Sequence, residues 1–184
     1  MGRILFDTAT SINGWIADEH NSLDWLFVVD GGDHPDEGLF PDGATVLVEG
    51  STTYQWVLDH DDILHHPEKW QDFHGSRPAF VFTTRRLPRP EGADVRFVSG
   101  AVTDHIGAIR EAAGDGDIWV VGGGDLAGQF LDAGLLDQIA LSVAPVALTG
   151  GAPLLPRRLE SDRLRLVSAQ AHGQFARLLY DVVR

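Results

Sequence analysis

The sequence predicts an α/β domain with a mostly parallel sheet and antiparallel strands at its edge. Three observations carry this. Ile118-Trp119-Val120-Val121 is wholly apolar and runs straight into Gly122-Gly123-Gly124, after which a helix-like segment begins. Upstream of it, short apolar runs alternate with segments of helical spacing. At the end of the chain, Leu164–Ala171 and Gln174–Val183 alternate in character and join around His172-Gly173, as an antiparallel hairpin does.

Taken in order, Arg3–Ile16 opens as a strand and bends at Asn13-Gly14. The stretch Ser22–Val29 reads as a short helix capped by Asn21 or Ser22. The Gly- and Asp-rich Asp30–Asp42 reads as a loop. Thr45–Val48 is a short buried strand ending at Glu49-Gly50, and Ser51 or Thr52 caps a helix over Thr53–Leu58. Polar Asp59–Ser76 reads as a long insertion or an irregular helix. Pro78–Thr84 and Val95–Val98 are further strands. In Thr103–Ala113, apolar Ile106, Ile109 and Ala113 recur at helical spacing, with Thr103 or Asp104 as cap. After the triple glycine comes a helix over Leu126–Ala133, stopped by Gly134. Ile139–Val146 is a strand broken by Pro145. No internal repeat, low-complexity tract or linker divides the chain, so a single domain over 1–184 is expected.

Composition narrows the function. The chain has 184 residues, 27 acidic and 14 basic, with a formal net charge of −13. Its one lysine is Lys69, and no basic patch exists, which argues against nucleic acid as a partner. The absence of cysteine removes disulfides, thiolate chemistry and Cys-based metal sites. No segment has the length of a membrane span, and the first residues read as a strand rather than a signal peptide, so a cytoplasmic protein without membrane attachment is expected.

Glycines at a strand-to-helix junction leave N–H groups bare at the positive end of a helix dipole, a cradle for phosphate or pyrophosphate. The run Gly122-Gly123-Gly124 has neither the G-x-G-x-x-G nor the Walker spacing, so a plain turn is the competing reading.

Two further motifs precede it, Gly50-Ser51-Thr52-Thr53-Tyr54 and Thr83-Thr84-Arg85, and the run itself extends as Gly122-Gly123-Gly124-Asp125-Leu126 with Gln129-Phe130-Leu131. With Ser11-Ile12-Asn13-Gly14, Leu23-Asp24-Trp25 and the segment Pro145–Leu154, the set resembles the dihydrofolate reductase superfamily over essentially the whole chain. Within it, the chain is most similar to the reductase domain of the bifunctional riboflavin-biosynthesis deaminase/reductase. The resemblance implies a dihydrofolate reductase-like three-layer fold with helices on both sheet faces, NADPH as cofactor, and a homodimer. It implies a cis peptide at Gly122-Gly123. It places Gly122, Gly123, Gly124, Asp125 and Leu126 at the pyrophosphate, with Gly50, Ser51, Thr52 and Thr53 across from them. Thr83, Thr84 and Arg85 fall by the adenosine ribose, Gln129 by the adenine, and Ala9 and Ile16 beside the nicotinamide.

The departures are specific. Ser51 stands where the family places Arg or Lys, and Asp125 where some members have Arg; both losses remove cations for a 2′-phosphate. Arg85 and Arg86 are candidate replacements, and NADH is the alternative cofactor. Asn13 replaces the Asp of the family's S-L-D-G motif, and a neutral amide is neither acid nor base.

Asn13, Asp24 and Trp25 are the catalytic candidates on the substrate side. Asp24 reads equally as a first-turn acid complementing a helix dipole, Asp30 as a helix end, and Trp25 as core. His60, Asp61, Asp62, His65, His66 and His74 read as a solvated surface stretch rather than a metal site. The expected function is an NADPH-dependent reductase of a small pterin- or aminopyrimidine-like heterocycle. The alternatives are a non-catalytic nucleotide-binding or dimeric scaffold and a flavin- or deazaflavin-linked reductase.

Overall fold

The computed structural model describes residues 2–30, 40–41 and 43–184. Most of the predicted loop Asp30–Asp42 lies outside the described residues. Among those described, eight strands form one sheet in the order β5-β4-β3-β6-β1-β7-β10-β9. Strands β1 (Ile4–Ser11), β3 (Ala44–Gly50), β4 (Ala79–Phe82), β5 (Val95–Val98), β6 (Asp117–Gly122) and β7 (Gln138–Ala144) run parallel. The predicted hairpin is β9 (Leu164–His172) and β10 (Phe175–Val182), antiparallel to each other, with β10 also antiparallel to β7. A second, two-stranded sheet pairs β2 (Trp15–Ala17) with β8 (Ala152–Pro153); neither has an apolar pattern that foretells it.

Helices cover both faces, as a three-layer fold requires. Helices α4 (Val102–Ala113) and α5 (Gly124–Asp132) bury Ile109, Leu126 and Phe130 against Ile4, Phe6, Val46, Ile118 and Val120. On the opposite face, α2 (Ser51–His60) and α3 (Glu68–His74) bury Tyr54, Leu58 and Trp70 against Leu47, Val81 and Trp119. Side chains of a strand alternate between faces, so β6 sends Ile118 and Val120 to one core and Trp119 to the other.

Several boundaries differ from the expectation. Helix α1 is a single turn, Asp24–Phe27, with Leu23 rather than Asn21 or Ser22 at its N-cap. Asn21 is taken up in a tight turn at φ 58°, and Asp18 Oδ1 accepts the N–H groups of His20 and Ser22. Helix α2 starts two residues early, with Gly50 as N-cap, so Ser51 and Thr52 lie in its first turn. Helix α4 is capped at Ala101, whose N–H donates to Asp104 Oδ2 at 3.2 Å.

The polar stretch Asp59–Ser76 is not a solvated insertion throughout. Its second half forms α3, which buries Trp70 and His74. His74 donates through Nε2 to Glu49 Oε1 at 2.8 Å, both side chains fully buried, and its ring stacks on Trp70 at 3.5 Å. That pair ties α3 to β3. His65 and His66, with Asp62, do remain on the surface.

Candidate functional site

In a parallel sheet the loops at the strand C-termini gather along one edge, where open α/β folds hold ligands. Here that edge carries the turns after β1, β3, β4 and β6. Gly50, N-cap of α2, and Gly123, N-cap of α5, are neighbours: a Cβ added to Gly123 would lie 3.9 Å from Gly50 Cα. Neither helix has a side-chain cap. Two uncapped N-termini side by side aim bare N–H groups and partial positive charge at one region.

Packing explains the triple glycine. A Cβ on Gly122 would meet Thr53 Oγ1 at 2.5 Å, and one on Gly124 would meet the carbonyl oxygen of Pro153 at 2.2 Å. Gly123 takes φ 94°, open to glycine far more readily than to other residues. The glycines thus let the β6–α5 junction sit between α2 and β8. The bond between Gly122 and Gly123 is trans, as are the other described peptide bonds, so the cis bond implied by the resemblance is not present. Asp125, at the start of α5, accepts from Gln129 at 2.9 Å and Arg157 at 3.0 Å; these bonds hold its carboxyl below the usual range.

Beside this junction opens a cavity of about 640 Å³. One wall is aromatic: Trp56 stacks on His60 at 4.4 Å, and Phe27 lies 5.0 Å from His60 with rings 9° from parallel. Phe40, Phe73, Trp119 and Phe175 add further apolar lining. The floor has one strongly polar spot. Asp7, only 3% exposed, receives both terminal nitrogens of Arg177 at 2.6 Å each, and Arg177 also donates to Ser142 Oγ at 3.2 Å. Trp119 Nε1 donates to the Asp7 carbonyl at 2.9 Å. Burial pushes the Asp7 carboxyl above its ordinary range, and the Arg177 pair pulls it back part of the way.

Of the residues singled out from the sequence, Ala9, Ile16, Thr52, Thr53, Gly122, Gly123, Gly124 and Asp125 line this cavity together. Gly50, Ser51 and Leu126 belong to the adjoining helix starts but not to the lining. Thr83, Thr84 and Arg85 follow β4 at the same sheet edge, two strands from Gly122; Thr83 Oγ1 accepts the Arg85 N–H at 2.9 Å. Gln129 is committed to Asp125.

The three catalytic candidates are not brought to the cavity lining. Asp24 is exposed on α1, and Trp25 packs with Val29, Ala144 and Phe175. Asn13 is a structural tie: its amide donates to the Leu148 carbonyl at 2.6 Å and accepts from the Leu148 N–H at 3.1 Å and from Ser11 Oγ at 2.8 Å. Asn13→Ala is therefore expected to cost about 1–2 kcal/mol in chemical denaturation, the scale of three lost hydrogen bonds near the surface. An acid role for this position would instead predict a change in turnover with stability intact.

The residues missed from the sequence are Asp7, Trp119, Phe27, Trp56, His60 and Arg177. Each sits in a run that local patterning reads as core or helix surface. One signal was available: an Asp inside the apolar run Ile4–Phe6 is a buried charge in need of a partner.

Residues 3–176 match the RibD C-terminal domain family. The uncharacterized protein YwjB of Bacillus subtilis (strain 168) is 28% identical over 173 residues, covering 94% of this chain and 93% of its own. Among solved structures, one from Shewanella sp. PV-4, named for riboflavin biosynthesis, superposes with a TM-score of 0.77 at 28% identity, all of both chains being covered. A pyrimidine reductase-like protein of Corynebacterium diphtheriae shares the fold, with a TM-score of 0.62 and 15% identity over all of this chain and 92% of that one. With the match spanning the sheet, both helix starts and most of the closing hairpin, the chain belongs to the RibD C-terminal domain family.

Proposed function

We propose that the protein is an NADPH-dependent reductase of a small planar heterocycle, pterin- or aminopyrimidine-like. The observation that carries this reading is the meeting of two uncapped helix N-termini, at Gly50 and Gly123, beside an aromatic-walled cavity. Bare N–H groups suit a pyrophosphate, and the adjoining apolar space suits a ring stacked out of water.

When bound, the nicotinamide supplies a hydride; the chain supplies position and surroundings. Gly50–Thr53 and Gly123–Leu126 hold the pyrophosphate, Thr83, Thr84 and Arg85 the ribose, Gln129 the adenine side, and Ala9 and Ile16 the nicotinamide end. Arg85 and Arg86 are exposed and outside any ion pair among the described residues, which leaves them for a 2′-phosphate in place of the cation missing at Ser51. Asp125 is already neutralised by Arg157, so its charge weighs less against a phosphate than its sequence position implies. The stacked Phe27, His60 and Trp56 exclude water and give a planar substrate a surface to lie on.

A homodimer fits this reading, since β9 is an open sheet edge with Leu166 54% and Val167 49% exposed. Among the described residues no helix is long and apolar enough to cross a membrane; a cytoplasmic location is part of the proposal.

Calorimetric titration with NADPH and with NADH tests the reading. Micromolar binding of NADPH, weaker for NADH, is the expected result. Tighter NADH binding would show that Arg85 and Arg86 do not replace the lost cation. No binding of either at millimolar concentration would leave the glycine junction with its packing role alone and favour the scaffold.

A further inference from the structure

The charges around the cavity carry a deduction about what enters it. Among the described residues no Lys or Arg lines it, and the charged lining residues are Asp7, Asp61 and Asp125. Between Arg3 and Lys69 the sequence contains no Lys or Arg, and this stretch provides α1, β2, α2 and the aromatic wall. The cations that approach the cavity are already held: Arg177 by Asp7 through two 2.6 Å bonds, Arg157 by Asp125 and Asp132, and Arg77, lying over the Trp119 ring, by the carbonyls of Phe73 and His74. A phosphate ester in the substrate half of the cavity would therefore face carboxylates and aromatic rings, with no counter-charge.

Asp7 supplies the opposite preference. A carboxylate has room for about four hydrogen bonds, and Arg177 takes one at each oxygen. Its remaining acceptor capacity belongs to the cavity floor, among Trp119, Ser142 and Phe175. A flat ring bearing N–H donors can lie on the aromatic wall and turn those donors toward Asp7.

Resting on the reductase reading above, we propose that the substrate half of the cavity, beside the aromatic wall and Asp7, selects unphosphorylated, neutral or cationic N–H-bearing heterocycles, with Asp7 as the specificity-determining acceptor, and rejects phosphorylated ones. The protein would then act on a substrate class distinct from the sugar-phosphate compounds that a cation-lined pocket would take.

The test uses a matched pair, 2,4-diamino-5-(hydroxymethyl)pyrimidine and its phosphate ester, titrated against the full chain by quenching of Trp56 and Trp119, both in the cavity. The free alcohol is expected to bind at least about tenfold more tightly than the ester. Asp7→Asn should weaken the alcohol by about tenfold or more. Asp61→Lys, which puts a cation at the rim, should raise the affinity for the ester relative to that for the alcohol. Equal or tighter binding of the ester to the wild-type chain would overturn the proposal, and needs no variant to fold. So would undiminished alcohol binding to folded Asp7→Asn. NADPH titrated separately keeps the two readings apart. If it binds and neither pyrimidine does, the selectivity fails and the reductase reading stands; if the alcohol binds through Asp7 and NADPH does not, the reverse holds.

Discussion

Arg177→Leu is expected to lower the free energy of unfolding by about 3–5 kcal/mol, the scale of removing one partner from a buried ion pair. The carboxylate of Asp7 is 4% exposed as a side chain and the guanidinium 15%, so little solvent is available to take over when the cation is lost. Ser142 also loses its donor. Asp7→Leu/Arg177→Leu should recover most of the loss, because the cost lies in the orphaned charge and not in missing attraction. The pH dependence has a definite sign. Burial raises the folded-state pKa of Asp7 above the ordinary 3.8, and Arg177 opposes that rise. Without Arg177 the folded pKa moves further up. A carboxyl raised on folding costs stability above its folded pKa, and the cost fades as pH falls through that value toward 3.8. The deficit of Arg177→Leu should therefore shrink as pH falls toward 3.8, measured by urea denaturation across the acidic range. A deficit under about 1 kcal/mol that does not move with pH would mean that water reaches the pair.

The same pair shows where sequence reading stops. Asp7 and Arg177 are 170 residues apart, and no local pattern links β1 to β10. They meet because β7 lies between those strands, with Arg177 level with Ser142 in the ladder and Asp7 level with Ala140. What was legible was local: apolar runs, helical spacing, a hairpin, and glycines at a strand end. Those give the α/β layers and the β6–α5 junction. Residues that face a cavity are chemically the same as residues that face a core, so Phe27, Trp56 and Trp119 could not be separated from packing. His74 was hidden for the opposite reason. It sits in a polar stretch, and only the partner Glu49 on a neighbouring strand makes its burial tolerable. Asn13 was found at the right turn but for the wrong reason, since its amide is consumed by Leu148.

Gly124→Ala is expected to cost about 3 kcal/mol and to abolish cofactor binding. A Cβ there would lie 2.2 Å from the Pro153 oxygen, 2.4 Å from the Leu154 oxygen and 2.9 Å from the Leu154 carbonyl carbon. All three are backbone atoms, so no side-chain rotation relieves the contact. Either α5 must back away from β8, which displaces its start from its place beside the start of α2, or β8 must move. Moving β8 disturbs β2, its partner, and the bond from Leu154 N–H to the Gly14 carbonyl at 2.9 Å, beside Ile16 in the cavity wall. Both routes deform the cavity. Gly122→Ala offers a contrast, because its Cβ would meet only the side chain of Thr53, with Oγ1 at 2.5 Å and Cγ2 at 2.9 Å. Thr53→Ala deletes both atoms, so the pair should show a favourable coupling of about 1 kcal/mol in a double-mutant cycle. No such partner substitution exists for Gly124. Gly107→Ala, in the middle of α4 with nothing within 4 Å of the new Cβ, should be neutral or stabilise by up to about 1 kcal/mol. A Gly124→Ala protein that melts like Gly107→Ala and still binds NADPH would mean that α5 and β8 are not in the contact described. Loss of NADPH binding with the melting point unchanged would instead place the ligand itself against Gly124.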